Sequence, residues 1–294
     1  MSEPASAAGG HTELREFLRT RRARITPEQA GLPRQPGARR VPGLRREEVA
    51  QLAGLSVDYY VRLERGRGLN VSESVLDALA RALQLNDVER SHLFTLARPR
   101  RGQPRPLAPQ RVRTGMRQVL SALTGVPALV LGRRLDVPDS NHLARALYTD
   151  FEALPRRERN MARFVFLDEV ARELYVDWAD AARGIVATLH LYAGSHPHDP
   201  ELAELIGDLS LHDRDFRRWW ADHDVFRREH GTKRYHHPVV GELTLAYEAL
   251  TPTDDPDQTL GLHTAEQGSA SEQALRLLPS WTAEPAREGL TRAD

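Results

Sequence analysis

Hydrophobic residues recur at helical spacing near the start of the chain and are followed by a stretch rich in helix breakers. Leu14, Phe17 and Leu18 fall on one face of a helix. Thr12 followed by acidic residues is typical of a helix N-terminus, so we predict a first helix that begins there. Prolines and glycines crowd residues 26–43, which predicts a loop.

Four further short helices are predicted between residues 44 and 97. Gly54 divides the first two of them. Ser72 and Asn86 precede the other two and are typical N-caps, because short polar side chains accept hydrogen bonds from free backbone N–H groups. Each of these helices carries an apolar stripe on one face. The pattern predicts an all-α domain of five helices over residues 12–97.

The second half of the chain mixes the helical period with the alternation of strands. Two short apolar runs predict a pair of strands within residues 127–137. Helical spacing extends from about residue 140 to 223, and we interpret residues 168–195 as one long helix. Strict alternation over residues 231–266 predicts antiparallel strands. We therefore expect an α+β domain over residues 114–280.

The segment between the two domains, residues 98–113, contains four prolines and six arginines and is typical of an extended connector. Charge is also divided along the chain. Residues 1–117 carry 22 arginines and 12 acidic residues, whereas the rest carries 19 basic and 29 acidic residues. A basic first part is typical of binding to the phosphates of double-stranded DNA, and an acidic second part is not.

Composition excludes several kinds of site. The chain has no cysteine, which excludes disulfides, thiol catalysis and thiolate metal sites. We find no secretory signal, no membrane-spanning stretch and no phosphate-cradling or nucleophile motif, so we expect a cytoplasmic protein without membrane partner or enzyme activity. No tight carboxylate cluster accompanies His190, His196, His198, His236 or His237, so we expect no metal and no bound cofactor.

The strongest local pattern spans residues 45–68. Ala50 is small where two helices must approach closely, Gly54 suits a left-handed turn, and Ser56 is placed to cap the second helix. Together with Val49 before the turn and Leu63-Glu64-Arg65-Gly66 after it, these residues resemble the phage-repressor-like helix-turn-helix family. The resemblance implies that the second helix enters the major groove of DNA.

The same resemblance implies roles for individual residues. Base readers map to Val57, Asp58 and Arg62, of which Arg62 is the best candidate because an arginine makes two hydrogen bonds to guanine. Phosphate contacts are expected from the flanking arginines. The full candidate set for DNA is Arg45, Arg46, Ser56, Val57, Asp58, Tyr59, Arg62, Arg65 and Arg67. Of the first-helix arginines Arg15, Arg19, Arg21, Arg22 and Arg24, we expect most to lie on a solvated face. We also expect a homodimer on two half-sites.

A longer resemblance covers nearly the whole chain. Segments such as ALVLGRRLDV and GTKRYHHPVVGELTLAYEAL are similar to MmyB-like transcription regulators. This resemblance implies that the second domain has a PAS-like fold and holds a small hydrophobic, fatty-acid-like molecule. One departure from the family pattern is Asp139-Ser140-Asn141, where members commonly carry Ala-Trp-Asn.

From the residues themselves, a ligand cavity should be mainly apolar with a few polar groups. The candidate lining residues are Leu129, Leu131, Asn141, Leu147, Phe164, Trp219 and Tyr247. Each of them could equally belong to an ordinary core. Arg163, Lys233 and Arg234 are candidate partners of a carboxylate or plain surface cations. The alternative functions are a regulator whose second domain is a ligand-free dimerisation or protein-interaction module, and an enzyme with an appended DNA-binding domain.

Overall fold

The structure is a computed structural model and describes residues 8–33, 41–66, 71–97, 110–227 and 229–282. The chain divides into two compact units. Unit 1 consists of Met1–Leu107 and Val186–Arg227, and unit 2 consists of Ala108–Ile185 and Arg228–Asp294. Contacts within unit 1 therefore join the helix-turn-helix region to a later segment of the chain. The sequence-based boundaries remain predictions.

Five short helices form the first part of unit 1: α1 Ala8–Arg24, α2 Arg46–Ala53, α3 Val57–Glu64, α4 Glu73–Ala82 and α5 Asp87–Ala97. Their apolar stripes meet in one core, in which Phe17, Tyr60 and Leu79 are fully buried. Ser72 accepts from the backbone of α4, and Asn86 exchanges capping hydrogen bonds with Glu89. The prediction of an all-α region of five helices is confirmed.

The elements beyond residue 110 include both helices and strands, with a run of helices between the first two strands and the last three. They are α6 Thr114–Ala122, β1 Ala128–Leu131, β2 Asp139–Ser140, α7 His142–Leu147, α8 Met161–Leu167, α9 Glu169–Leu174, α10 Trp178–Ser195, α11 Pro200–His212, α12 Arg214–Asp222, β3 His230–His237, β4 Gly241–Leu250, β5 Thr259–Thr264 and α13 Ala270–Thr282. The division between the units falls within α10.

The strands of unit 2 form one five-stranded antiparallel sheet in the order β2-β1-β5-β4-β3. Register places Val130 opposite Leu260 and Tyr235 opposite Leu243. Alternate residues of β3 and β4 are buried, as the period of two requires. The expected α+β, PAS-like class for the second domain is confirmed.

The strand pair expected over residues 127–137 was only partly right. β1 forms as predicted, but its antiparallel partner is β2. Arg134 and Leu135 have positive φ angles of 56° and 64°, and the Gly132 N–H donates to the Asp136 carbonyl at 2.7 Å. This tight turn occupies the residues that the pattern assigned to the second strand.

The single long helix expected over residues 168–195 was wrong. The helix is interrupted between α9 and α10, where Tyr175 has an extended backbone and forms a bridge to Tyr235 in β3. The Val176 N–H donates to the Arg234 carbonyl at 3.1 Å. Backbone groups at the interruption therefore pair with the sheet instead of continuing the helix.

The segment Val186–Arg227 completes the core of unit 1. Val225 is buried among the side chains of α1–α5, and Leu191 packs against the same cluster. Arg21 of α1 is 1% exposed; its guanidinium donates to Asp224 at 2.8 Å and to the carbonyl of His223. Arg21 is thus an exception to the expectation that most first-helix arginines lie on a solvated face, because this face of α1 is covered by the later segment.

Candidate DNA interface and ligand-binding core

The geometry of α3 follows from its two ends. Gly54 adopts φ 66° between α2 and α3, and the following Leu55 N–H donates to the Ala50 carbonyl at 2.8 Å. Ser56 caps α3 by accepting from the Tyr59 N–H at 3.2 Å. Tyr60 lies in the core. The helix therefore turns its other face outward.

The outward face carries most of the predicted DNA contacts. Exposed side chains are those of Arg46, Ser56, Val57, Asp58, Arg62 and Arg65. Tyr59 and Arg45 are half-buried, and the Arg62 guanidinium carbon lies 5.8 Å from the centre of the Tyr59 ring. Arg67 lies outside the described residues. The structure brings the remaining candidates to α3 and to the start of α2.

A buried carboxylate on the inward face of α3 holds this helix in place. Glu64 is 2% exposed and accepts from Arg22 at 2.6 Å, from Arg46, and from the Tyr60 hydroxyl at 3.4 Å. Arg22 also donates to the Leu44 carbonyl at 2.8 Å. The hydrogen bond that Arg46 donates to Glu64 raises the pKa of Arg46, and burial raises the pKa of Tyr60.

Sequence reasoning missed this Glu64 cluster and identified no partner for Arg22. The available signal was Glu64 itself, which lies on the inward face of α3 four residues after Tyr60. A carboxylate placed there requires cationic or hydrogen-bonding partners. Because Glu64 already engages Arg46, this arginine reaches a DNA phosphate only with the part of its guanidinium that remains exposed.

Unit 2 contains a buried polar group, which we call the tyrosine–histidine cluster: Tyr148, Tyr175, Tyr235 and His263. The Tyr148 hydroxyl lies 2.9 Å from the Tyr235 hydroxyl and 2.7 Å from His263 Nε2. The rings of Tyr148, Tyr175 and Tyr235 are also in contact. Residues from α7, β3, β5 and the α9–α10 connection thus meet in the core.

The tyrosine–histidine cluster carries no charge at neutral pH. Burial raises the pKa of Tyr148 and Tyr235 well above 10. Burial, with a smaller contribution from the Lys233 charge, lowers the pKa of His263 well below 6.5. The cluster can therefore exchange neutral hydrogen bonds in apolar surroundings. Sequence reasoning did not identify it; Tyr235 and His263, on inward positions of two strands, were the signal.

Two predicted pocket residues border this cluster. Phe164 meets Tyr148 edge-on with ring centres 6.0 Å apart, and the Tyr247 ring lies 5.2 Å from that of His263. Leu129, Leu131 and Leu147 also lie in unit 2, buried or half-buried. Trp219 is buried on α12, in unit 1.

The side-chain amide of Asn141 forms hydrogen bonds with backbone groups. Its Oδ1 accepts from the N–H groups of Ala128 and Ala144 at 3.0 and 2.9 Å, and its Nδ2 donates to the carbonyls of Leu123 and Val126, both at 2.7 Å. These bonds use both donors and both acceptor sites of the amide. Asn141 therefore ties β1 to the start of α7.

The candidate carboxylate partners are also engaged. Arg234 forms a two-bond ion pair with Asp177, with both distances 2.9 Å. The Lys233 ammonium lies 4.1 Å from the centre of the Tyr247 ring. Lys233 therefore lies beside Tyr247, a predicted pocket residue, and next to the tyrosine–histidine cluster.

A third polar group lies in unit 1. Glu13 of α1, His190 of α10 and His223 at the end of α12 have ligand atoms within 4.8 Å of one another. Burial lowers the pKa of His190 well below 6.5 and that of His223 to about 4, while burial raises the pKa of Glu13. Both imidazoles are therefore neutral at neutral pH. The sequence drew attention to His190 but gave no sign of its two neighbours.

Comparison with known protein families gives two matches along the chain. A family model described as MmyB-like transcription regulator ligand binding domain matches residues 112–278, more than half of the chain. The chain belongs to this family. A second model, described as a helix-turn-helix domain, matches residues 13–93 of the regulator. A search of curated proteins finds no match.

These matches, in this order along the chain, make the protein a DNA-binding transcription regulator. Within the regulator, Val186–Arg227 belongs to the ligand-binding match by sequence but packs with the helix-turn-helix match in unit 1. Among the described residues of the regulator, every helix is too short or too polar to span a membrane.

Proposed function

We propose that the regulator binds operator DNA as a homodimer through α3, and that unit 2 binds a small hydrophobic, fatty-acid-like molecule that controls this binding. The proposal that α3 binds DNA rests on one observation. The outward face of α3 is exposed, while the Glu64 cluster holds the inward face of the same helix in place. An anchored helix presents its side chains in one fixed geometry, which favours discrimination between bases.

On this proposal, Arg62 reads a guanine and Asp58 accepts from a cytosine amino group. Arg45, Arg46, Arg65 and Arg67 neutralise phosphates, and Ser56 and Tyr59 lie near the backbone. One recognition helix reads few base pairs, so two copies act on half-sites about 34 Å apart. The regulator is thereby expected to lose affinity steeply as salt rises.

For the ligand, we infer that an apolar chain lies against Leu129, Phe164 and Tyr247 while its polar head meets the tyrosine–histidine cluster. Aromatic and aliphatic walls with a few buried polar groups are typical of small-molecule sites. Because the tyrosine–histidine cluster is uncharged, the head group is held by neutral hydrogen bonds, with Lys233 as the nearby cation.

The DNA assignment is tested by comparing Arg62→Ala with Arg45→Ala on operator and random DNA. Arg62→Ala is expected to weaken operator binding by about 1–3 kcal/mol and to relax base preference. Arg45→Ala should weaken both DNAs alike and reduce the salt dependence. Equal losses on both DNAs for Arg62→Ala would remove its assignment as a base reader.

The ligand assignment is tested by native mass spectrometry of the purified regulator and by melting with medium- and long-chain fatty acids. A bound ligand at a hundredfold excess over its Kd should stabilise the chain by about 2.7 kcal/mol. Tyr148→Phe should reduce this effect, whereas Tyr192→Phe, which removes a hydroxyl bonded to Asp199 at 2.8 Å in unit 1, should not. A dimer that melts identically with and without every fatty acid would favour the interaction-module alternative.

A further inference from the structure

The group formed by Glu13, His190 and His223 has the side-chain chemistry of a metal site. Two imidazoles and one carboxylate are a common ligand set for Zn²⁺, which completes its tetrahedron with water. Imidazole nitrogen also suits the other divalent transition metals, and hard cations such as Ca²⁺ prefer oxygen alone. Glu13 lies in α1, His190 lies in α10 and His223 directly follows α12, and all three belong to unit 1.

The hydrogen bonding of the His190 ring is the observation that points most directly to a bound ion. Its ring is 1% exposed, and Nε2 lies 3.0 Å from the Trp220 carbonyl, so Nε2 holds the proton and donates it to that oxygen. Nδ1 is then an acceptor, and it has no hydrogen-bond partner among the described residues. A buried acceptor without a partner is costly, and an ion or water commonly accounts for one.

The hydrogen bond to Trp220 also fits a metal ligand. Histidines that bind metals almost always donate the other ring N–H to a carbonyl or carboxylate, which fixes the tautomer and the ring orientation. The His190 ring is further held by stacking on Trp220, with ring centres 3.8 Å apart. Nδ1 is thereby held in one direction before any ion binds.

The distances between the candidate ligand atoms are close to those between two ligands of one zinc ion. Glu13 Oε2 lies 3.5 Å from His223 Nδ1. Two ligands at about 2.1 Å on a tetrahedral zinc ion are roughly 3.4 Å apart. All three ligand atoms lie within 4.8 Å of one another, so rotations of the side chains would bring them to the spacing that one zinc ion requires.

Charges around the group are balanced. Arg21 is a buried cation whose charge acts on His190 and His223; it is paired with Asp224 at 2.8 Å and lies 3.5 Å from Glu89. Arg19 also acts on His223 and is paired with Glu16 at 2.7 Å. The neighbouring cations are thus neutralised by carboxylates, and Glu13 supplies a negative charge for the ion itself.

We propose that Glu13, His190 and His223 bind one divalent transition-metal ion, of which Zn²⁺ is the best-fitting type. The ion would fasten α1 of the DNA-binding helices to α10 and α12. Since all three ligands are supplied only when these helices are packed together, metal binding stabilises that arrangement. Zinc would then affect DNA binding independently of any ligand in unit 2.

The test uses the full chain without an affinity tag, stripped with a chelator and titrated with Zn²⁺ by calorimetry, with native mass spectrometry to count the ions. We expect one ion per chain and a higher melting temperature. Glu13→Gln and His223→Gln should each weaken zinc affinity at least tenfold. The control His196→Gln/His198→Gln removes the His-Pro-His pair of the α10–α11 connection and should leave affinity unchanged.

Co²⁺ provides a second readout, because a tetrahedral nitrogen and oxygen site gives intense visible absorption that the two ligand variants should lose. Glu13 is 24% exposed in its side chain, so Glu13→Gln should fold even if His223→Gln does not. Unchanged zinc affinity in Glu13→Gln, loss of binding in the His196→Gln/His198→Gln control, or a crystal structure with a water on His190 Nδ1 at saturating zinc would overturn the proposal.

Discussion

Replacing Glu64 by glutamine tests the claim that one buried carboxylate holds the recognition helix in place. The substitution keeps the shape of the side chain and one acceptor oxygen but removes the charge. Arg22, whose side chain is 14% exposed, then loses its anionic partner, while Arg46 is 46% exposed and can turn to water. The cost should therefore come mainly from Arg22.

Removing one partner of a buried ion pair costs about 3–5 kcal/mol. The remaining amide oxygen keeps one hydrogen bond, which puts Glu64→Gln near the lower end, about 3 kcal/mol. The half-exposed pair with Arg46 adds less than about 1 kcal/mol. For a unit of this size, about 3 kcal/mol corresponds to a melting shift of roughly 6–12 °C.

The assay is scanning calorimetry of the full chain, in which the transition of unit 1 is the one that operator DNA raises. Glu47→Gln is the matched control, because Glu47 is 60% exposed and lies 3.7 Å from Arg45. It should shift stability by less than about 0.5 kcal/mol. Replacing both partners, Arg22→Met with Glu64→Leu, should recover part of the loss. Equal shifts for Glu64→Gln and Glu47→Gln would refute the reasoning.

Three further outcomes are expected. Gly54→Ala should cost about 1–2 kcal/mol through its positive φ alone, because a Cβ there meets nothing within 4 Å. Gly43→Ala should cost more, about 3 kcal/mol, since its Cβ would clash with the Ala23 carbonyl oxygen; urea denaturation compares the two. Unit 2 should lose stability as pH falls below about 6.5, by up to about 1.4 kcal/mol per pH unit, because unfolded His263 takes up a proton that the folded state excludes. His263→Gln should flatten this pH profile and the exposed His236→Gln should not.

Sequence patterns were sufficient to predict those elements that are stabilised by residues close to one another in the chain. The caps at Ser56, Ser72 and Asn86 and the turn at Gly54 were predicted because each depends on residues three or four positions away. The strands β3–β5 were predicted because their alternation matches a half-buried sheet. The interruption at Tyr175 was missed because its cause, pairing with Tyr235, lies sixty residues later in the chain.

The candidate sites divide in the same way. The outward face of α3 follows from helical geometry once Tyr60 is known to face inward. The Glu64 cluster, the tyrosine–histidine cluster and the group around His190 each combine residues far apart in sequence. No period or spacing within one segment predicts such meetings, and a single sequence provides no other record of them.

The buried Arg21 shows why the segment Val186–Arg227 cannot be regarded as an accessory to the DNA-binding helices. A guanidinium that is 1% exposed is stable only with partners, and two of these, Asp224 and the His223 carbonyl, come from that segment. Val225 fills the apolar core at the same place. The helix-turn-helix region thus relies on residues that belong, by sequence, to the ligand-binding match. Anything that alters the packing of this segment must change the free energy of the DNA-binding unit, and by linkage DNA binding must act back on the segment with the same coupling energy.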